Sequence, residues 1–293
     1  MAEFAIHVQS ESDLDCLDAW ALWERSEKLR PAILELGELL GVPEEEEGFS
    51  RVYWGTEFCE NLIPEEPLDF DFVDLPLTLL TPYVSDRGLE RLRPLLDALP
   101  DESEVVFNDF GVLRLLRHSY PSLIPVQGRL LYKALRDPRI TTEYVQLGES
   151  PQLQALRGSS LESQAYAALM RRYDVQHAEQ DLLPQGNNFQ SELALSVYAP
   201  FGVISTARIC MAAGLGYRKA QKFEPGAPCK HECQTHLVEY QYTNSPFANR
   251  DQRFWLKGQT YFYLHSEAMI RGLAEMAPSI QRIVWQPRIP MLA

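Results

Sequence analysis

The spacing of apolar residues changes near Arg51. Ahead of it, Leu14, Leu17, Trp20, Leu22, Leu29, Ile33, Leu36, Leu39 and Leu40 recur at helical intervals, with Pro31 as an interruption or a second helix start. Gly41 then fits a C-cap. From Arg51 onward, short β-rich runs alternate with amphipathic segments. Strands are predicted at 51–54, 69–81, 104–107, 123–127, 175–178, 202–206, 237–242, 261–264 and 283–286, and helices at 86–99, 112–118 and 161–173. The alternation calls for parallel strands joined by right-handed crossovers. The expected fold is α/β: a TIM-like (β/α) barrel, complete or partly open, over 51–293, preceded by an N-terminal helical extension over 1–50. The long segments 207–236 and 243–258 read as functional insertions.

Composition narrows the function classes. The chain has 293 residues, enough for one α/β barrel of about 250 residues. A hydrophobic content of 45% supplies a sizeable core. The formal net charge of −14 argues against broad nucleic-acid binding, which needs Lys and Arg patches. No early apolar run resembles a signal peptide, and no apolar run of about 20 residues suits a membrane span. The expectation is a cytoplasmic chain with reduced cysteines. A Ser/His/Asp pattern, a phosphate loop and an HExxH motif are all missing from the sequence.

The cysteines carry the candidate chemistry. Cys210, Cys229 and Cys233 are spaced C-x18-C-x3-C, and Cys59 lies far upstream. Four thiolates repel one another unless a cation neutralises them, and four cysteines are the usual ligand set of iron–sulfur clusters and of structural zinc. A zinc ribbon uses two tight C-x2-C knuckles. One close pair with two solitary cysteines favours a cluster gripped from separate loops. Two other readings stand beside it: four small buried hydrophobes, or a redox disulfide between Cys229 and Cys233. Cys16 has no assigned role.

In α/β barrels the chemistry sits at the C-terminal ends of the strands. The polar residues that meet this condition are Thr56, Glu57 and Cys59; Asn108 and Asp109; Arg129; His177, Glu179 and Gln180; Arg208 and Cys210; and His265 and Glu267. Arg129 and Arg208 are candidate carboxylate binders, and Asp109, His177 and Glu179 candidate proton carriers. Plainer roles compete with these. Asn108-Asp109 suits a helix cap, Gly128-Arg129 a turn with a structural ion pair, and His177 an ordinary strand position. Trp255, Tyr261, Phe262 and Tyr263 read as barrel core.

Several phrases together resemble the U-thirty-two peptidase family, in its ubiquinone-biosynthesis branch. They are Tyr53-Trp54-Gly55-Thr56-Glu57-Phe58-Cys59, Asn108-Asp109-Phe110-Gly111-Val112-Leu113-Arg114, Gly128-Arg129-Leu130-Leu131 with Asp137-Pro138-Arg139, the cysteines after Val203–Ser205, and Leu256-Lys257-Gly258. The similarity covers 51–288. It implies an α/β barrel with a 4Fe–4S cluster on Cys59, Cys210, Cys229 and Cys233, zinc being the alternative metal. It further implies oxygen-independent hydroxylation of a quinone precursor or of bases in RNA, prephenate as oxygen donor, and a homologous chain as heterodimer partner. Peptidase activity is not expected. The first 50 residues, the long Cys210–Cys229 loop and 247–257 depart from the family pattern, which leaves the substrate open.

Overall fold

The computed structural model describes residues 2–9, 29–43, 48–67, 75–137, 148–188, 190–222, 229–240, 253–275 and 280–291. The elements in chain order are β1 (Glu3–Val8), α1 (Arg30–Leu40), β2 (Arg51–Gly55), β3 (Leu77–Leu80), α2 (Asp86–Asp97), β4 (Glu104–Phe107), α3 (Phe110–Ser119), β5 (Ile124–Gln127), α4 (Pro151–Arg157), α5 (Gln164–Arg172), β6 (His177–Asp181), β7 (Ala194–Ala199), β8 (Phe201–Thr206), β9 (Val238–Tyr240), β10 (Phe254–Lys257), β11 (Thr260–Leu264), α6 (Glu267–Glu275) and β12 (Arg282–Trp285).

Eight parallel strands close into a barrel in the order β1-β12-β7-β6-β5-β4-β3-β2. This is the TIM-like α/β architecture that the alternation predicts, and it is complete. Closure depends on β1, whose Ala5 and Ile6 pair with Val284 and Trp285 of β12 on one side and with Arg51 and Val52 of β2 on the other. The barrel therefore begins at Glu3 and not at Arg51. The expected N-terminal extension is corrected accordingly: β1 and α1 form the first βα unit. Pro31 stands in the first turn of α1, where its missing N–H costs nothing, and Gly41 ends the helix in the left-handed region at φ 72°. The acidic run at 44–47, Cys16 and the rest of the expected helix over 13–28 lie outside the described residues.

A second sheet, antiparallel and ordered β8-β11-β10-β9, is inserted between β7 and β12. Three runs expected as barrel strands, at 202–206, 237–242 and 261–264, belong to it. So do Trp255, Tyr261, Phe262 and Tyr263, which are not barrel core.

This sheet sits on the C-terminal mouth of the barrel. Phe262 meets Phe58 edge-on at 5.2 Å, the Tyr263 hydroxyl donates to the Leu182 carbonyl, and the Gln259 amide donates to the Phe58 carbonyl. The lumen beneath is packed by Ala5, Tyr53, Leu80, Val106, Val126, Tyr198 and Val284. At its opposite end Arg282 pairs with Glu104 at 2.7 Å and with Glu3 at 2.7 Å.

Candidate functional site: four thiols beside a sealed barrel mouth

The strand-end loops separate the candidate residues into two groups. One is buried under the inserted sheet. Arg129, just past β5, forks onto Glu57 at 3.0 and 2.7 Å through Nε and Nη2. Its Nη1 donates to Asp181 at 2.8 Å and to the Phe201 carbonyl at 3.1 Å. Its guanidinium lies 3.7 Å from the Tyr198 ring centroid. Arg136 closes the group with a 3.2 Å contact to Asp181. Arg129 and Asp181 are 0% exposed and Glu57 1%. Burial works against the Arg129 charge, but Glu57 and Asp181 outweigh it and hold the guanidinium protonated. Two cations here balance two carboxylates. Arg129 is thus a structural ion pair and not a free carboxylate binder, because its donors are already engaged.

Glu179 sits one layer deeper, in the middle of β6. The Tyr198 hydroxyl donates to Glu179 Oε2 at 2.9 Å. Burial, reinforced by the nearby Glu57 charge, pushes its carboxyl well above the ordinary range. It faces the lumen and not solvent, which removes it from the strand-end set. His177 is corrected more sharply. It is the first residue of β6, at the opposite end of the barrel, because the strand runs over 177–181 and not 175–178. Asp109 caps α3, accepting from the Gly111 N–H at 2.6 Å. Among the expected proton carriers, none stands beside the thiols.

His7 and His265 are buried near Arg129 and were missed or set aside in the sequence. Burial first, then the Arg129 charge, lowers each from 6.5 to about 3. Between those values the folded chain binds fewer protons than the unfolded one. Stability therefore rises with pH across this window and is lost on acidification, by about 1.4 kcal/mol per pH unit for each histidine at full effect. Urea unfolding of the wild type at pH 7 and pH 5 should show this loss. A His7→Gln/His265→Gln variant should show a distinctly shallower one.

The second group holds the thiols. Cys59 follows β2 and caps a short 3-10 turn over Glu60–Leu62. Glu60 Oε2 accepts from the Ser85 N–H at 2.7 Å and hydroxyl at 2.8 Å, and Arg91 donates to the Glu60 and Ile63 carbonyls at 2.9 and 2.8 Å. The Cys59 turn is therefore pinned to the start of α2. Cys210 follows β8, and its sulfur accepts from the Ala213 N–H at 3.4 Å. Cys229 accepts from the His231 N–H at 3.4 Å, and Cys233 from the Gln234 amide at 3.5 Å. His231 takes a left-handed φ of 56° to make that turn.

The four thiols occupy one electrostatic neighbourhood. The charges of Cys229, Cys210 and Cys233 all act on Cys59, and those of Cys210 and Cys229 on Cys233. Burial foremost, with these neighbours adding to it, pushes the Cys59 thiol up to about 12. No disulfide joins any two of these four cysteines, so the Cys229–Cys233 disulfide reading does not describe this state.

Among the described residues, no three His, Cys, Asp or Glu side chains gather closely enough to hold a single metal ion. A mononuclear shell with bonds of about 2.3 Å would need sulfurs packed within about 4 Å of one another. A polynuclear cluster takes the same four ligands at wider spacing. Four thiols with backbone and amide N–H donors aimed at three of the sulfurs suit such a group in chemistry, since hydrogen bonds to sulfur are one of the means by which proteins tune it. Arg208 lies on the same rim. It is exposed, its guanidinium reaches the Val84 carbonyl at 3.5 Å, and its charge acts on Tyr83, which also feels Cys59. Of the five residues expected to bind or move protons, Arg208 alone stands near the thiols.

No protein-family model matches the chain, and no curated protein does so either. Among solved structures, the chain is similar to a glycoside hydrolase family 18 N-acetylglucosaminidase from Paenibacillus barengoltzii. The identity is 10%, over 97% of this chain and 94% of that one, with a TM-score of 0.34. No described helix is long and apolar enough to cross a membrane.

Proposed function

We propose that this chain is an iron–sulfur protein holding a 4Fe–4S cluster on Cys59, Cys210, Cys229 and Cys233. We place it in oxygen-independent hydroxylation, or an allied redox modification, of an aromatic or quinone precursor. What supports this reading is that Cys210, Cys229 and Cys233, from the long β8–β9 connection, all act electrostatically on Cys59, from the β2–β3 connection. The phrases that resemble the U-thirty-two peptidase family point the same way, and that resemblance suggests the substrate class, prephenate as a candidate donor, and a homologous chain as partner.

A cluster of this kind exchanges single electrons. The protein's own residues do the rest. N–H donors from Ala213, His231 and Gln234 face the sulfurs of Cys210, Cys229 and Cys233. The exposed Arg208 guanidinium is placed to take a carboxylate bidentately beside them.

The test is anaerobic purification followed by iron, sulfide and zinc analysis. About four irons with matching sulfide per chain are expected; a colourless protein with about one zinc would sink the redox reading. A second reading is favoured by the buried mouth: with Arg129, Glu57 and Asp181 fully covered, the chain serves as a non-catalytic partner that carries the metal for another subunit. Turnover by the isolated chain rejects it.

A further inference from the structure

We infer that the two-residue turn between β10 and β11, Gly258-Gln259, is the template that gathers the cysteine loops, and that Gln259 is a positioning residue for Cys59. This deepens the cluster reading and rests on it for its purpose. Three approaches carry it, one each to the chain beside Cys59, Cys210 and Cys233. The Gln259 side-chain amide donates to the carbonyl of Phe58, the residue before Cys59. The Gly258 carbonyl accepts from the Ala212 N–H at 3.2 Å, within the turn that follows Cys210. Gly258 also backs onto Cys233: a Cβ placed there would lie 3.4 Å from the Cys233 Cβ.

The turn is itself rigid. Lys257 and Thr260 pair across it, Gly258 supplies the positive φ of 61° that a two-residue hairpin needs, and Gln259 is 7% exposed. One hairpin end thus touches the β2–β3 connection beside Cys59 and both ends of the β8–β9 connection, beside Cys210 and Cys233. The Phe58 carbonyl lies in a buried stretch, so an amide donor there fixes the height of the Cys59 turn against the other two.

The test reads thiol proximity in the full-length, metal-free, reduced protein. Dibromobimane fluoresces when its two ends join neighbouring thiols, and peptide mapping shows which pair was linked. Gln259→Leu and Gln259→Glu both keep the side chain's size and remove the donor. Each should shift the docking equilibrium of the Cys59 turn by about tenfold or more, the loss expected when a buried carbonyl is left unpaired, and so lower links containing Cys59, while links between Cys210 and Cys233 persist. Arg271→Gln, on the exposed side of α6, should leave both unchanged. Equal loss of every link, or no loss, overturns the inference.

Should the variants fail to fold, amide hydrogen exchange on the wild type decides instead. Residues 58–62 should be protected together with β10 and β11, and free exchange there beside a protected hairpin overturns the proposal. A wild type that takes up no iron, yet whose Cys59 links depend on Gln259, rejects the cluster while keeping the template.

Discussion

Replacing Arg129 with methionine should destabilise the fold by about 3–5 kcal/mol, the cost of leaving buried charges without their partner. Glu57 and Asp181 lose a guanidinium that meets them at 2.7 and 2.8 Å in a region closed to water. Arg136 still reaches Asp181 at 3.2 Å, so Glu57 bears most of the loss. Arg129→Lys should recover only part of it. An ammonium is a point charge that cannot reproduce the fork onto Glu57 or its seat on the Tyr198 ring. Urea unfolding measures both variants. The triple variant Arg129→Met/Glu57→Gln/Asp181→Asn is the decisive comparison, because it removes the stranded charges and should be more stable than Arg129→Met alone. Equal stability of the two would show that lost packing, and not uncompensated charge, dominates.

The second large effect concerns the metal. Cys233→Ser, purified without oxygen, should fall from about four irons per chain to below about one, with parallel loss of sulfide. Cys233 is the ligand to choose because it is buried at 5% exposure and linked to the Gly258 turn, so a replacement ligand from solvent has poor access. Cys59→Ser should behave alike. Cys16→Ser, which alters the one cysteine outside the set, should keep the full complement. Iron content that ignores Cys59 and Cys233 would remove the basis for the redox assignment.

Much of the barrel was legible in the sequence because alternating β-rich and amphipathic segments have few other ways to bury their apolar faces. β2, β4, β5 and α2 fall within a residue or two of expectation. The misses have physical causes. β1, reading Glu3-Phe4-Ala5-Ile6-His7-Val8, alternates but is only 6 residues long and stands apart from the βα pattern that begins at Arg51, and its partners β2 and β12 are invisible to local pattern. β8 and β11 have the same apolar and aromatic texture as barrel strands, and nothing local says whether a strand will pair parallel or antiparallel. His177 shows the cost of a small boundary shift: two residues moved it from one end of the barrel to the other. The cysteines were the more readable part of the site, since thiols are scarce and their spacing is informative. Arg129 was visible as a strand-end cation, but only the fold reveals that Glu57 and Asp181 already occupy it.

The inserted sheet changes what kind of barrel this is. In most enzymes of this architecture the reactant descends onto the strand tips from above; here that approach ends at Phe58, Phe262 and Tyr263. The eight strands become a pedestal covered at its upper end, and under the proposed reading a reactant would reach the sulfurs beside the sheet and not down the bore.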